Sequence, residues 1–284
     1  MPELPEVEAV RRQLASSILD RTVERVRVHR RDVIRDANGR RRGLIAKEQL
    51  GVDRVIRRIG RRGKQLIIDF DGDHGLVVRL GMSGRIEVGA VGPRRSVPPH
   101  RHVAWTLAGD SGRPALRMEF IDPRRFGGVH LFESPEDRDQ RVLRRLGPEA
   151  TLVDGKALGK QLKASRRAIK AALLDQQVIA GVGNIYADES LFRSGIRPDR
   201  PACDLSGPEL GRLARAIRTT LDHAIDAGGT TLRDHRLPDG TAGTFTSGHL
   251  AYGRSGHPCT HCGRLMTGCT ITGRSTTWCE SCQA

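Results

Sequence analysis

The sequence predicts an α+β protein, and three observations predict it. Short β-type runs fill residues 22–132, helical periodicity dominates after Asp154, and two Cys-x2-Cys pairs lie near the C-terminal end. The expected order is a leading helix, a β-sandwich or barrel, a helical half, and a metal ribbon on a β-hairpin.

The first element is a helix. Val7, Val10, Leu14 and Ile18 recur at steps of three and four, which places one apolar stripe along a helix face. Pro5 suits its first turn, and Glu6 and Glu8 complement the positive end of its dipole. From 22 to 132 the pattern shortens to runs such as 66–70, 76–80, 102–107 and 116–121, separated by Gly, Asp and Pro. Many short strands at near-regular spacing point to a sandwich or barrel. Residues 135–154 are polar and carry Pro and Gly, and they read as a linker between a domain 1–134 and a domain 155–248. Stretches 158–163, 168–176, 185–194 and 208–227 suit helices, the last closed by Gly228-Gly229. Gly181-Val182-Gly183-Asn184 falls between two of them. Its glycines would let backbone amides approach a phosphate, with Asn184 opening the next helix, although a plain helix–helix turn fits equally. Residues 230–248 read as a mobile loop before a last domain, 249–284.

That domain carries Cys259 and Cys262, then Cys279 and Cys282, with sixteen residues between the pairs. The spacing predicts a four-thiolate zinc ribbon: each tight turn offers two sulfurs, and the span between them suits a β-hairpin. Disulfides are the competing reading, disfavoured in a reducing compartment. Four protein ligands fill a tetrahedron, so one structural zinc is expected. His257 and His261 are read as surface side chains, and Cys203 and Cys269 as ordinary thiols.

Charge points to the partner. In 284 residues, 48 Lys and Arg face 33 Asp and Glu, a net +15, with a pI of about 10.6. A surplus of that size is the electrostatic footprint of a phosphate-binding surface. The start has no apolar signal core, and no run approaches the ~18 apolar residues that span a bilayer. The expectation is a cytoplasmic, nucleoid-associated monomer.

The chemistry sits in the first residues. Loss of Met1 would leave Pro2 with a free secondary amine. An α-amino group has a pKa of ~7.7–8.0, so it is partly unprotonated at neutral pH. Such an amine can attack an electrophilic carbon and form an iminium, and Glu3 beside it can move protons. The plainer reading is that Pro2 only permits Met1 removal and the glutamates start a helix.

Several motifs together then resemble one family. Pro2-Glu3-Leu4-Pro5-Glu6-Val7-Glu8, Arg61-Arg62-Gly63-Lys64, Leu80-Gly81-Met82-Ser83-Gly84, Asp122-Pro123-Arg124-Arg125-Phe126-Gly127 and the run from Gly183 to Phe192 carry the resemblance. With the terminal ribbon and Arg274 in its hairpin, they resemble the formamidopyrimidine-DNA glycosylase (MutM-type) branch of the Fpg/Nei repair glycosylases, in order from residue 2 to residue 282. The endonuclease VIII branch, whose start typically reads Pro-Glu-Gly-Pro, is less similar. The resemblance implies a β-sandwich, a helix-two-turn-helix domain and a zinc finger, with DNA held between the halves. It implies that Pro2 attacks C1′ and expels the base. Glu3 would protonate the sugar oxygen, with Glu6 positioning the amine. Lys64 and Arg274 would contact the lesion phosphate and assist the eliminations. Met82, Arg124 and Phe126 match the family's void-filling side chains, needed because a damaged base must be flipped out of the duplex. Lys170, Asn184, His100 and, more weakly, Arg166 match DNA-contacting positions. Arg79 stands where the family often has His, and an arginine there can still bind phosphate.

The expected function is therefore a bifunctional glycosylase and AP lyase of base excision repair. It would excise oxidised purines from double-stranded DNA through a Pro2 Schiff base and β,δ-elimination. The alternatives are an endonuclease VIII-like enzyme for oxidised pyrimidines and, from another class, a non-enzymatic zinc-ribbon DNA-binding protein. The last has no use for a free amine flanked by carboxylates.

Overall fold

The computed structural model describes residues 2–40, 46–92, 98–230, 236–241 and 249–284. The chain forms two compact units. The first holds Met1–Pro2, Glu6–Arg144 and Thr230–Gly243, and the second Glu3–Pro5, Arg145–Gly229 and Thr244–Ala284.

Helix α1 (Leu4–Ile18), in the first unit from Glu6 onward, presents the expected stripe, with Val7, Val10, Leu14 and Ile18 fully buried. Nine strands follow among the described residues: β1 (Val23–Val28), β2 (Ile34–Arg35), β3 (Ile56–Arg62), β4 (Gln65–Phe70), β5 (Gly75–Arg79), β6 (Arg85–Ala90), β7 (Arg101–Leu107), β8 (Leu116–Ile121) and β9 (Gly128–Phe132). They form a four-stranded antiparallel sheet in the order β1-β7-β8-β6 and a five-stranded sheet in the order β2-β9-β5-β4-β3. Apolar residues two apart share a face of a strand. Leu66, Ile68 and Phe70, Leu76 and Val78, Val103, Trp105 and Leu107, and Met118 and Phe120 all join one core with the α1 stripe. The sheets therefore enclose that core as a sandwich. Trp105 reconciles its burial with its polar edge by donating its indole N–H to the Leu50 carbonyl at 3.1 Å.

The stretch 135–154 is more structured than its composition suggests. Ser134 Oγ accepts the Asp137 N–H at 3.1 Å and starts the short helix α2 (Pro135–Asp137). A π-turn over Arg138–Val142 then buries Val142 and Leu143. Arg138 fastens it by pairing with Asp69 and Asp139 and by lying over the Phe132 ring. The unit boundary follows at Arg144.

The second unit is helical: α3 (Gly155–Leu162), α4 (Ile169–Leu174), α5 (Asn184–Ser194) and α6 (Gly207–Asp226). They pack around Leu158, Leu162, Ile169, Leu173, Ile185, Tyr186, Leu191, Leu213, Ile217 and Leu221, and Leu4 joins this core. At the start of α6, Ser206 donates its N–H and hydroxyl to Glu209, at 2.8 and 2.7 Å, and Arg200 adds a 2.6 Å ion pair. The unit ends in the hairpin β10 (Thr267–Ile271) and β11 (Arg274–Trp278). Thr272 and Gly273 both have positive φ, the signature of a two-residue turn that matches strand twist. No helix among the described residues is long and apolar enough to cross a membrane.

Candidate active site

Glu3 organises the acid end of the site. Helix α5 begins after Gly183, which has no side chain with which to cap it. The carboxylate of Glu3 takes that place: it is 2% exposed, and its Oε1 accepts the Ile185 N–H at 3.0 Å. A carboxylate there satisfies a helix-end amide and faces the positive end of the dipole. The glycines of the preceding turn make room. A Cβ on Gly183 would meet the Glu3 carboxylate carbon, and one on Gly181 would meet the Leu4 side chain. Leu4 donates its N–H to the Gly181 carbonyl at 3.1 Å. Gln176 holds the turn from inside, donating to Val182 O at 2.9 Å and accepting from Gly181 N–H at 2.9 Å. In this structure the turn that reads equally as a phosphate cradle or a plain helix–helix turn receives the chain's own carboxylate.

Pro2 directly precedes Glu3 and is buried. In the first unit, Glu6 is 1% exposed and accepts the Thr230 N–H at 2.8 Å, which fixes the root of the loop 230–248. Only Thr230 and residues 236–241 of that loop are described. Lys64 lies half-buried in the β3–β4 turn, after Gly63 at φ +54°. Beside this turn Arg61 donates to Gly63 O at 2.9 Å and pairs with Glu8 at 3.0 Å. Burial raises the Glu8 carboxyl, but the hydrogen bonds and charges of Arg11 and Arg61 outweigh it and hold it below its usual value.

Three of the first unit's expected DNA contacts, His100, Arg124 and Phe126, are exposed and Met82 is half-buried. The Arg124 guanidinium lies 5.1 Å from the centre of the Phe126 ring, and Phe126 is 62% exposed, unusual for so large an apolar side chain. Arg79 ends β5, half-buried, and donates to Val142 O at 3.1 Å. Burial, and then the charge of Arg35, lower its pKa. Burial, with Arg79 and Arg35 nearby, also brings His130 down to about 3, so that imidazole is neutral at physiological pH.

In the second unit, Arg166 is exposed and Arg274 opens β11 at the surface. The Asn184 amide lies 3.4 Å from Ser275 Oγ. Lys170 lies away from the surface. It is fully buried, paired with Asp188 at 2.7 Å, and donates to Ser275 O at 2.6 Å and Thr276 Oγ1 at 2.9 Å. The ammonium joins α4 and α5 to the hairpin that carries Arg274. Burial pushes Asp188 up to about 7 and Lys170 down, while their mutual attraction opposes both shifts.

The four cysteines converge, with all their sulfurs within 4.8 Å of one another. Around an ion bonded to thiolates at ~2.3 Å, tetrahedral geometry sets sulfurs about 3.8 Å apart. The Cys259–Cys282 and Cys262–Cys279 separations of 3.9 and 3.5 Å fit that figure.

Sequence reasoning gave no role to several buried polar residues inside the quoted motifs. Glu189 accepts the N–H groups of Leu250, Ala251 and Tyr252 at 3.1, 2.8 and 2.9 Å. Ser83 and Asp122 are likewise tied into loops, and Asp188 accepts the Thr277 N–H of β11 at 3.3 Å. Their signal was available: acids and hydroxyls embedded in motifs and flanked by apolar residues.

Comparison with known proteins follows the same lines. Residues 1–129 match the family described as formamidopyrimidine-DNA glycosylase N-terminal domain, and residues 146–236 match its H2TH domain. The formamidopyrimidine-DNA glycosylase of Gluconobacter oxydans is 41% identical over 289 aligned positions, covering 100% of both chains. The crystal structure of the MutM (Fpg) protein from Thermus thermophilus aligns with a TM-score of 0.83 at 40% identity, covering 99% of this chain and 98% of that one. A Lactococcus lactis Fpg mutant in complex with Fapy-dG-containing DNA aligns with a TM-score of 0.86 at 29% identity, covering 99% of each. With a sandwich, a helical domain and a four-cysteine hairpin in that order, the chain belongs to the formamidopyrimidine-DNA glycosylase family of base-excision repair enzymes.

Proposed function

We propose that this protein is a bifunctional DNA glycosylase and AP lyase that excises 8-oxoguanine and formamidopyrimidines from duplex DNA. The observation that carries the proposal is the Glu3 carboxylate held at the start of α5, one residue from Pro2. In this reading Met1 is removed, and the Pro2 nitrogen uses its lone pair to attack C1′ of the flipped nucleotide. The bond from C1′ to the base breaks, and the base leaves with that electron pair and takes a proton from water. Glu3 takes up the proton that the Pro2 nitrogen sheds and delivers it to O4′ as the sugar ring opens, which leaves an iminium between Pro2 and C1′. Loss of a C2′ proton then expels the 3′-phosphate, a second elimination expels the 5′-phosphate, and water releases Pro2. Glu6 sets the root of the loop beside α1, and Lys64 and Arg274 bind the phosphate at the lesion.

Met82, Arg124 and Phe126 fill the gap the base leaves. His100, Arg79, Asn184 and Arg166 hold backbone phosphates, and a net +15 favours that contact. Lys170 acts behind this surface, through the hairpin. Cys259, Cys262, Cys279 and Cys282 hold one zinc, which supplies folding energy to the hairpin and takes no part in the chemistry. We place the enzyme in the cytoplasm on nucleoid DNA, as a monomer.

Borohydride trapping tests the nucleophile. The enzyme should form a covalent complex with duplex carrying an abasic or 8-oxoguanine site, and an extra residue before Pro2 should abolish it. Undiminished trapping in that extended protein overturns the assignment and makes Lys64 the first suspect. A panel of duplexes with single defined lesions, oxidised pyrimidines included, tests the substrate class.

A further inference from the structure

Three surface segments of the sandwich carry Met82, His100, Arg124 and Phe126, and all three close on one buried aspartate. Asp122, fully buried at the end of β8, accepts the Ser83 hydroxyl at 2.6 Å through Oδ1 and the Gly127 N–H at 2.8 Å through Oδ2. Its own N–H donates to the His100 carbonyl at 3.1 Å, and its carbonyl faces His102 Nε2 at 2.8 Å. Ser83 completes the bridge, because its Oγ also accepts the Arg124 N–H at 3.1 Å. One carboxylate and one hydroxyl thus join the turn bearing Met82 to both ends of the loop bearing Arg124 and Phe126.

The loops also touch backbone to backbone. A Cβ on Gly81 would stand 2.5 Å from Gly127 N and 2.6 Å from Phe126 C, and one on Gly127 would stand 2.4 Å from Arg79 O. Gly81 and Arg125 have φ of +64° and +57°, which bends each loop sharply beside the residues that project from it. Buried charge-assisted hydrogen bonds between segments without side-chain bulk hold them in one arrangement.

We infer that Asp122 is a positioning residue, with Ser83 as its bridge, that makes Met82, Arg124 and Phe126 enter the duplex as one wedge. The inference rests on the reading of those three as void-filling side chains. It adds that they are coupled: the phenyl ring and the arginine fork cannot take their places in the gap unless the Met82 turn moves with them. Asp122 itself never touches DNA, which separates its role from theirs.

The test compares Ser83→Ala, Asp122→Asn and Phe126→Ala in single-turnover reactions on two substrates. One is duplex with 8-oxoguanine, and the other is a single-stranded abasic oligonucleotide, which has no partner strand and so no gap to fill. Ser83→Ala should slow the duplex reaction about tenfold or more, the scale of one charge-assisted hydrogen bond, and slow the single-stranded reaction far less. Asp122→Asn should do the same more strongly. The double variant Ser83→Ala/Phe126→Ala should be no slower on duplex than Phe126→Ala alone, because both changes disable one device. A 2-aminopurine opposite the lesion should lose its rapid fluorescence rise in all three single variants. If Phe126→Ala slows duplex repair and Ser83→Ala does not, the coupling is overturned while the wedge stands. If Phe126→Ala leaves duplex repair at the wild-type rate, the wedge reading fails and the coupling with it. Equal losses on both substrates for Ser83→Ala would mean general damage to the sandwich, which also overturns the role.

Discussion

Gly183 and Glu3 are two halves of one arrangement, since the missing Cβ of the first is the space taken by the carboxylate of the second. Gly183 has φ −131°, which any residue can adopt, so Gly183→Ala adds bulk without backbone strain. It should lower single-turnover base release about as much as Glu3→Gln, on the scale of 10²–10⁴-fold for a lost general acid. The double variant should be little slower than either single one; additive losses would mean that the glycine and the carboxylate act separately. Lys170 gives a second prediction. Lys170→Met removes one partner of a buried pair and leaves Asp188 uncompensated, which should cost roughly 3–5 kcal/mol in thermal or denaturant unfolding. Because the ammonium points into the protein, the slope of log affinity against log salt should stay unchanged. A direct phosphate contact would lower it by roughly 0.9.

Elements were legible where a pattern had a single cause. The α1 stripe, the strands at 66–70, 76–80, 102–107 and 116–121, and the four main helices all appear within a few residues of expectation. Helix α1 buries a face whose period the sequence repeats, and β4 and β5 are short apolar runs buried on both faces. The stretch 135–154 was not legible, because its order comes from long-range partners: Asp69 for Arg138, and the core for Val142 and Leu143. The burial of Lys170 was not legible for the same reason, since its acidic partner lies eighteen residues away on another helix. The turn 181–184 was half legible: its glycines signalled close approach, and the approaching group proved to be Glu3. At the start of α6, Ser206→Ala should destabilise by about 1 kcal/mol, the usual size of a lost cap. The hydrogen bonds from Arg200 and Ser206 hold Glu209 down at about 2. A depressed carboxyl contributes stability above its unfolded pKa of ~4.3 that fades as pH falls toward 2. The wild type should therefore lose stability more steeply than Ser206→Ala between those values, measured by denaturant midpoints across pH.

For the whole molecule, the metal prediction separates the units. Of the two tryptophans, Trp105 lies in the sandwich core and Trp278 in the hairpin beside Cys279. In a Trp105→Phe background, chelation at neutral pH should shift Trp278 emission to the red and abolish DNA binding, and added zinc should restore both. Emission and binding that survive complete removal of metal would sink the zinc assignment. The order of the chain through the two units has a further consequence, this one in time. The sandwich is not finished at Arg144: its unit takes in Thr230–Gly243, where Leu237 packs on the core, Pro238 O accepts the Val88 N–H at 2.8 Å, and Gln13 accepts from Asp239. At ~5–20 residues per second, a ribosome needs about 5–20 s to go from Arg144 to that segment. During that interval the nascent sandwich carries an open seam along α1 and β6. Its partner sequence arrives only after the helices of the second unit, so a chaperone that guards unfinished β-structure should meet this chain late in synthesis, not early.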